Sequence, residues 1–297
     1  MDVLDFQEMF PTDQACHDYL CLVRWADGFD CPFCHHHDAW RLKRGIFRCK
    51  KCNKDVSVTA GTIFQDLRKP LRLMFQAMWY VVCQKNGVSA LGLQQILGLG
   101  SYKTAWAWLH KLRTAMVRPG RDRLSGIVEI DETLVGGRKS GKRGRGAEGK
   151  ELVLVAVEDK GVAGIGRIRM NHIPDASGET LKKAIAEMVE PGSTVRTDGW
   201  KGYNGLKGYK HVVVKHNEEE PGHDPTPLVH RIASLLKRWL LGTHQGGQQF
   251  SHLHYYLDEY TFRFNRRKSR SRGKLFLRLV EQALQVDPAT FRSLKAS

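Results

Sequence analysis

The sequence has no run of ~18 apolar residues, so it offers no transmembrane helix. Its opening stretch, MDVLDFQEMF, is acidic and mixed rather than positive-then-apolar, and supports no signal peptide. It contains no internal repeat. An even set of cysteines is also missing. Seven are present (Cys16, Cys21, Cys31, Cys34, Cys49, Cys52 and Cys83), and an odd count in an apparently cytosolic chain argues against a disulfide framework. Acidic residues are scarce: 31 Asp and Glu face 47 Lys and Arg, a net charge of +16. That excess attracts a polyanion, nucleic acid first and an anionic membrane surface second. Hydrophobic content of 41% and charged content of 26% are ordinary for a globular chain, and 297 residues suffice for two or three folding units.

Four of the cysteines are paired at short spacing. In CPFCHHHDAWRLKRGIFRCKKC (31–52), two Cys-x-x-Cys knuckles flank a short hairpin pattern with Gly45 at its turn. Four soft ligands at the ends of a hairpin supply a tetrahedral zinc site, here Cys31, Cys34, Cys49 and Cys52. His35, His36 and His37 are expected to be solvated, and Cys16, Cys21 and Cys83 to be packing residues.

Residues 71–83 read as a buried helix. The following SALGLQQILGLGSYKTAWAWLHKLRTAM (89–116) has Ser89 and Ser101 as caps and a turn at Gly98–Gly100. Ala105, Leu109, Leu112 and Met116 make an inward stripe. This fits a helix-turn-helix, with Lys103, Lys111 and Arg113 favouring DNA, and it equally fits a plain helical hairpin. Residues 119–126 read as a linker. Strands follow at 127–135, 151–159, 164–173, 193–200 and 211–216, with an amphipathic helix at 178–189 and a long one from 228. The fold class is therefore α/β: a mixed sheet flanked by helices, preceded by the ribbon and a helical domain. The loop GGRKSGKRGRGAEGK (136–150) is basic, and is read either as a phosphate contact or as a solvated loop. From Arg263 to Arg278 there are eight basic residues and no acid, a stretch that includes Arg266, Arg267 and Lys268.

Two carboxylates stand out. Alternation in IVEIDETLV puts Val128, Ile130 and Leu134 on one face and Glu129, Asp131 and Thr133 on the other. Asp198 follows the fourth strand in RTDGW. On neighbouring strands the two aspartates would hold divalent cations for phosphodiester chemistry. Otherwise Asp131 is an exposed strand residue and Asp198 a turn former.

The ordered set CPFC…CKKC, IDETLVGG, TDGWKGY, SLLKRWLLGTHQ and YLDEYTFRFNRRK resembles the bacterial insertion-sequence transposases that join a zinc ribbon to a DDE-type, ribonuclease-H-like catalytic domain. The likeness runs from about Cys31 to about Lys268. It implies a DNA transposase, DNA-associated in the cytoplasm, that binds terminal inverted repeats as a homo-oligomer and uses magnesium or manganese for strand cleavage and transfer. By position, Asp131 and Asp198 match the two aspartates, His230 the third catalytic residue, and Lys237 the basic residue two turns on. Arg238 joins the expected DNA contacts. The third position is usually glutamate. A neutral imidazole ligates a divalent metal and favours manganese, but brings no negative charge. Asp224 and the acids Glu218, Glu219 and Glu220 are the alternatives to it. The expected domains are the ribbon region (1–60), the helix-turn-helix-like domain (61–118), the linker (119–126), the catalytic domain (127–275) and a helical tail (276–297). Two further classes remain open: a non-catalytic zinc-ribbon regulator, and a nuclease that cleaves without joining.

Overall fold

The computed structural model describes residues 1–118, 120–136, 150–214, 224–245 and 250–296. They form two compact units, Met1–Pro119 with Ser269–Ser297, and Gly120–Lys268.

The first unit opens with helices α1 (Val3–Met9) and α2 (Asp13–Arg24), then a three-stranded antiparallel sheet, β1 (Ala39–Arg41), β2 (Ile46–Cys49) and β3 (Asp55–Ser57). The β1–β2 hairpin turns through Arg44 and Gly45, both at positive φ (58° and 66°). Two consecutive left-handed residues are what a tight hairpin turn requires. Gly45 is needed for a second reason, since a Cβ there would meet Val58 Cγ1 at 2.6 Å. Helix α3 (Leu71–Cys83) is apolar on most of its circumference and buried accordingly. Helices α4 (Ala90–Leu97) and α5 (Tyr102–Ala115) follow as expected. Ser89 Oγ accepts from Gly92 N at 3.1 Å, Ser101 Oγ accepts from Lys103 N at 3.2 Å, and Gly98 ends α4 in the left-handed conformation. Ala105, Leu109, Leu112 and Met116 are all buried.

The second unit is a five-stranded sheet of β4 (Ile127–Gly136), β5 (Lys150–Asp159), β6 (Ile165–Ile173), β7 (Thr194–Thr197) and β8 (Lys210–Val213), in the order β6-β5-β4-β7-β8. The first three strands pair antiparallel; β7 lies parallel to β4, and β8 parallel to β7. Helix α6 (Gly178–Met188) covers one face, packing Leu181, Ile185 and Met188 on Val128, Ile130, Leu154 and Ala156. Helices α7 (Pro227–His244) and α8 (Leu253–Asn265) cover the other, with Val229, Ile232, Leu236 and Leu257 against Val153, Val155 and Val157. Strand β4 is thus central and covered twice. Its polar face is not at the surface: Glu129 is 0% exposed, Asp131 8% and Thr133 9%. The possibility that Asp131 is simply an exposed strand residue is thereby excluded.

Two boundaries differ from expectation. The stretch expected as a linker contributes Leu124, 1% exposed, which donates to Met188 O and accepts from Glu190 N, so its second half is built into the second unit. After Lys268 the chain returns to the first unit as α9 (Arg272–Ala283) and α10 (Phe291–Ala296). Phe276, expected at the start of a tail, instead meets Phe6, Phe10, Phe75 and Trp79 at ring-centroid distances of 5.3 to 5.9 Å.

Candidate active site and metal centre

The four ribbon cysteines converge. Cys31 Sγ lies 3.7 Å from Cys52 Sγ, and Cys34 Sγ 3.6 Å from Cys49 Sγ. Tetrahedral zinc with bonds of about 2.3 Å separates its sulfurs by about 3.8 Å, so the cradle has the size of that ion. Among the described residues this is the group of His, Cys, Asp or Glu whose ligand atoms all lie within 4.8 Å of one another. The two knuckles repeat one local conformation: the residue after each second cysteine, His35 and Asn53, is left-handed at φ 52° and 57°. At Cys49, burial disfavours the thiolate, but the N–H groups of Cys52 and Lys51 outweigh it and bring the thiol down to about 7. Donors aimed at sulfur prepare a knuckle for metal. The side chains of His35 and His37 are 79% and 78% exposed, in keeping with solvated histidines.

In the second unit, β4 and β7 pair in register from Ile127↔Thr194 to Glu129↔Arg196. Carried two residues past that pairing, the register brings Asp131, in the middle of β4, level with Asp198, which follows the last residue of β7; among the described residues Asp131, Asp198 and His230 do not each bring a ligand atom within 4.8 Å of the other two. Asp198 is held by Trp200 N, which donates to its Oδ1 at 3.0 Å. Tyr203 lies close behind. Burial, with the carboxylates of Glu132, Asp131 and Asp198, drives its phenol pKa strongly upward.

Helix α7 brings the third group. His230 Nε2 is 3.4 Å from Asp131 Oδ2, and His230 Nδ1 is 2.7 Å from Asp224 Oδ2. Two cis ligand atoms on an octahedral ion with bonds of about 2.1 Å lie about 3 Å apart, so the Asp131–His230 pair fits around one small divalent cation. Lys237 is exposed two turns along the same helix, and its pKa is lowered by burial of its stem and by neighbouring Lys150. Glu218, Glu219 and Glu220 lie outside the described residues, as does most of the basic loop (137–149).

Helix α7 enters the site without a side-chain cap of its own. Pro227 occupies its first turn, and the hydroxyl of its N-cap, Thr226, donates instead to Asp131 Oδ2 at 2.7 Å. The missing acceptor comes from the sheet: Glu129 Oε1 accepts from Val229 N at 2.7 Å. Burial raises the Glu129 pKa, opposed by the N–H groups of Val229 and Leu228. Glu129 and Asp131, two residues apart on one face of β4, therefore both grip the first turn of α7. Neither Glu129, Thr226 nor Tyr203 had been singled out. The signal available for Glu129 was its alternation with Asp131, since an acid on the covered face of a central strand needs a partner.

The cations expected at DNA fall into two groups. Lys103, Arg238, Arg267 and Lys268 are exposed. Arg113 is 1% exposed, with Nη1 3.3 Å from His110 Nε2, and as a buried residue it has no surface to offer DNA. Lys111 is half-buried, with its pKa lowered by that burial and Nζ 3.4 Å from Ile63 O. Arg266 stacks on Phe262 at 4.1 Å and donates to Phe262 O. Arg267 stacks on Phe264 at 3.9 Å and donates to the carbonyls of Gly166, Phe264 and Ile165. These two arginines tie the end of α8 to β6 and to its own last turn. Among the described residues no helix is long and apolar enough to cross a membrane.

Sheet order and cysteine ribbon together define the class: a ribonuclease-H-like α/β protein with an N-terminal zinc ribbon. Residues 123–265 match the ISXO2-like transposase domain, and residues 11–55 match the transposase zinc-ribbon domain. The chain belongs to the insertion-sequence transposases that join these two domains. It is 27% identical over 263 residues, 80% of this chain and 86% of the other, to an uncharacterized protein in transposable element ISH50 of Halobacterium salinarum. Among solved structures it matches a chain of the simian T-cell lymphotropic virus intasome in complex with PP2A regulatory subunit B56 gamma. That match has 14% identity and a TM-score of 0.30 and covers 63% of this chain and 67% of that one, a likeness too slight to bear on the fold.

Proposed function

We propose that this transposase cleaves and joins DNA at the ends of its element through a divalent-metal site formed by Asp131, Asp198 and His230. The observation that supports the reading most directly is the 3.4 Å approach of His230 Nε2 to Asp131 Oδ2, on the strand whose parallel neighbour, β7, ends one residue before Asp198. Magnesium or manganese bound there would supply the positive charge that stabilises attacking and leaving oxygens in an in-line displacement. The chain's own residues do the positioning. Thr226 fixes the rotamer of Asp131, Trp200 N–H orients Asp198, and Lys237 offers an ammonium to a DNA phosphate. The ribbon, with its structural zinc, and the α4–α5 pair would bind the terminal inverted repeats. Lys103, Arg238 and Lys268 would contact the DNA backbone. Two ends must be joined, so the working form is an oligomer on DNA.

The test is strand transfer of labelled element-end DNA with Mn²⁺ or Mg²⁺. Wild type should cleave and join, while Asp131→Ala, Asp198→Ala and His230→Ala should each lose both steps with DNA binding retained. Cleavage without joining by wild type would make the protein a nuclease. Specific binding without metal-dependent cleavage would make it a regulator. A fully active His230→Ala would remove the histidine from the site.

A further inference from the structure

We propose that Asp224 is a positioning residue for His230, fixing the ring tautomer and returning to the site the negative charge that an imidazole lacks. The inference rests on the reading of His230 as a metal ligand.

A neutral imidazole carries one proton on two nitrogens, and its neighbours decide which. Here the two nitrogens face two carboxylates at unequal distance: Nδ1 lies 2.7 Å from Asp224 Oδ2, whereas Nε2 lies 3.4 Å from Asp131 Oδ2. The short contact is a full hydrogen bond and places the proton on Nδ1. Nε2 is then left with its lone pair toward Asp131, the side on which a cation would bind. The histidine side chain is 53% exposed, so the ring is reachable from solvent.

Asp224 is itself held. Its other oxygen, Oδ1, accepts from Thr226 N at 3.0 Å, a turn in which an aspartate bonds backbone two residues on. Thr226 in turn donates its hydroxyl to Asp131 Oδ2 at 2.7 Å, and its carbonyl accepts from His230 N at 3.0 Å. The contacts close a circuit, Asp224 to Thr226 to Asp131 to His230 and back to Asp224. A carboxylate behind a ligating imidazole orients the ring and raises its basicity. It also sets the formal charge. Asp131 and Asp198 with a neutral histidine total −2, and Asp224 at one remove makes −3, the value of three carboxylates. Asp224 thus enters as the residue behind the histidine, not as its replacement.

The experiment uses full-length, zinc-loaded protein. The tautomer is read from long-range ¹H–¹⁵N correlations of the His230 ring, identified by their loss in His230→Asn. Affinity is read from Mn²⁺ titration by electron paramagnetic resonance. Wild type should show protonated Nδ1 and bare Nε2. Asp224→Ala should lose that preference and bind Mn²⁺ about 10–100-fold more weakly, the usual cost of removing such a partner. Asp224→Asn keeps an acceptor for Nδ1–H without the charge, so it should retain the tautomer with an intermediate affinity. It also serves where the alanine variant fails to fold. A wild-type ring protonated on Nε2 overturns the inference. So does Mn²⁺ affinity unchanged in both Asp224 variants while His230→Ala weakens it, an outcome that leaves the function of His230 intact. Unchanged Mn²⁺ affinity in His230→Ala would overturn the ligand reading and this inference with it.

Discussion

Replacing Glu129 with alanine strips the first turn of α7 of an acceptor from the sheet. The carboxylate is 0% exposed and its Oε1 accepts from Val229 N at 2.7 Å. Removing it leaves that helix-end donor without its partner at a buried position. A buried donor so orphaned costs about 1–3 kcal/mol. The expected loss is therefore roughly 1–3 kcal/mol, at or above the ~1 kcal/mol typical of an exposed cap. At about 2–4 °C per kcal/mol for a domain of this size, the melting point of the second unit should fall by roughly 2–12 °C. Glutamine keeps an oxygen in the same place and removes a charge that burial opposes, so Glu129→Gln should lie within about 1 kcal/mol of wild type. Calorimetry of both variants, with strand-transfer rates measured well below either melting point, separates stability from positioning. Because the next residue after Val229 is His230, the alanine variant should lose joining activity even where it remains folded. An alanine variant within about 0.5 kcal/mol of wild type would refute the idea that β4 caps α7. A glutamine variant as damaged as alanine would show that the charge, not the acceptor, is what the helix end needs.

Chelation of the ribbon metal should unfold residues around Cys31–Cys52 and abolish end binding, with about one zinc per chain released; retention of end binding after full zinc removal would contradict a structural site. Phe276→Ala should destabilise the first unit by about 3–5 kcal/mol, measured by urea unfolding, because the ring sits at 0% exposure among four other aromatics. Burial pushes the Asp258 carboxyl up to about 6, against the pull of Arg121. Its folded pKa therefore exceeds its unfolded value of 3.8, and the stability it contributes is fully present below about pH 4 and lost as pH rises through 6. Urea midpoints of wild type and Asp258→Asn should accordingly converge at low pH and separate above pH 6 with asparagine the more stable, and the opposite order would refute the shift.

The ribbon was legible because its constraints are local: two knuckles, a glycine turn and four ligands within 22 residues. The five strands and the helix over 178–188 were legible for the same reason, as each carries its own period. Arg113 shows where charge misleads. It lies four residues after Leu109 and three before Met116, on the edge of the apolar stripe, so helical geometry had already turned it inward. Phe276 and Leu124 show the complementary limit, because each packs against residues distant in sequence that no window of local pattern contains. At the candidate site, motif order pointed to Asp131, Asp198 and His230, while the partners that hold them were hidden. Glu129, Thr226 and Tyr203 gain their roles only once β4 is known to be central and α7 to start above it.

The return of α9 to the first unit has a consequence for synthesis of the chain. Ile63 N donates to Ala283 O, and Phe276 completes the aromatic cluster begun by Phe6, so the first unit lacks part of its core until residues 272–283 have been synthesised. The second unit, contiguous from Gly120 to Lys268, has all its strands and helices available earlier. A message cut short before residue 269 would then yield a protein whose five-stranded sheet folds while the ribbon-bearing unit stays incomplete. Premature termination there would leave a folded second unit joined to a first unit without its closing helix.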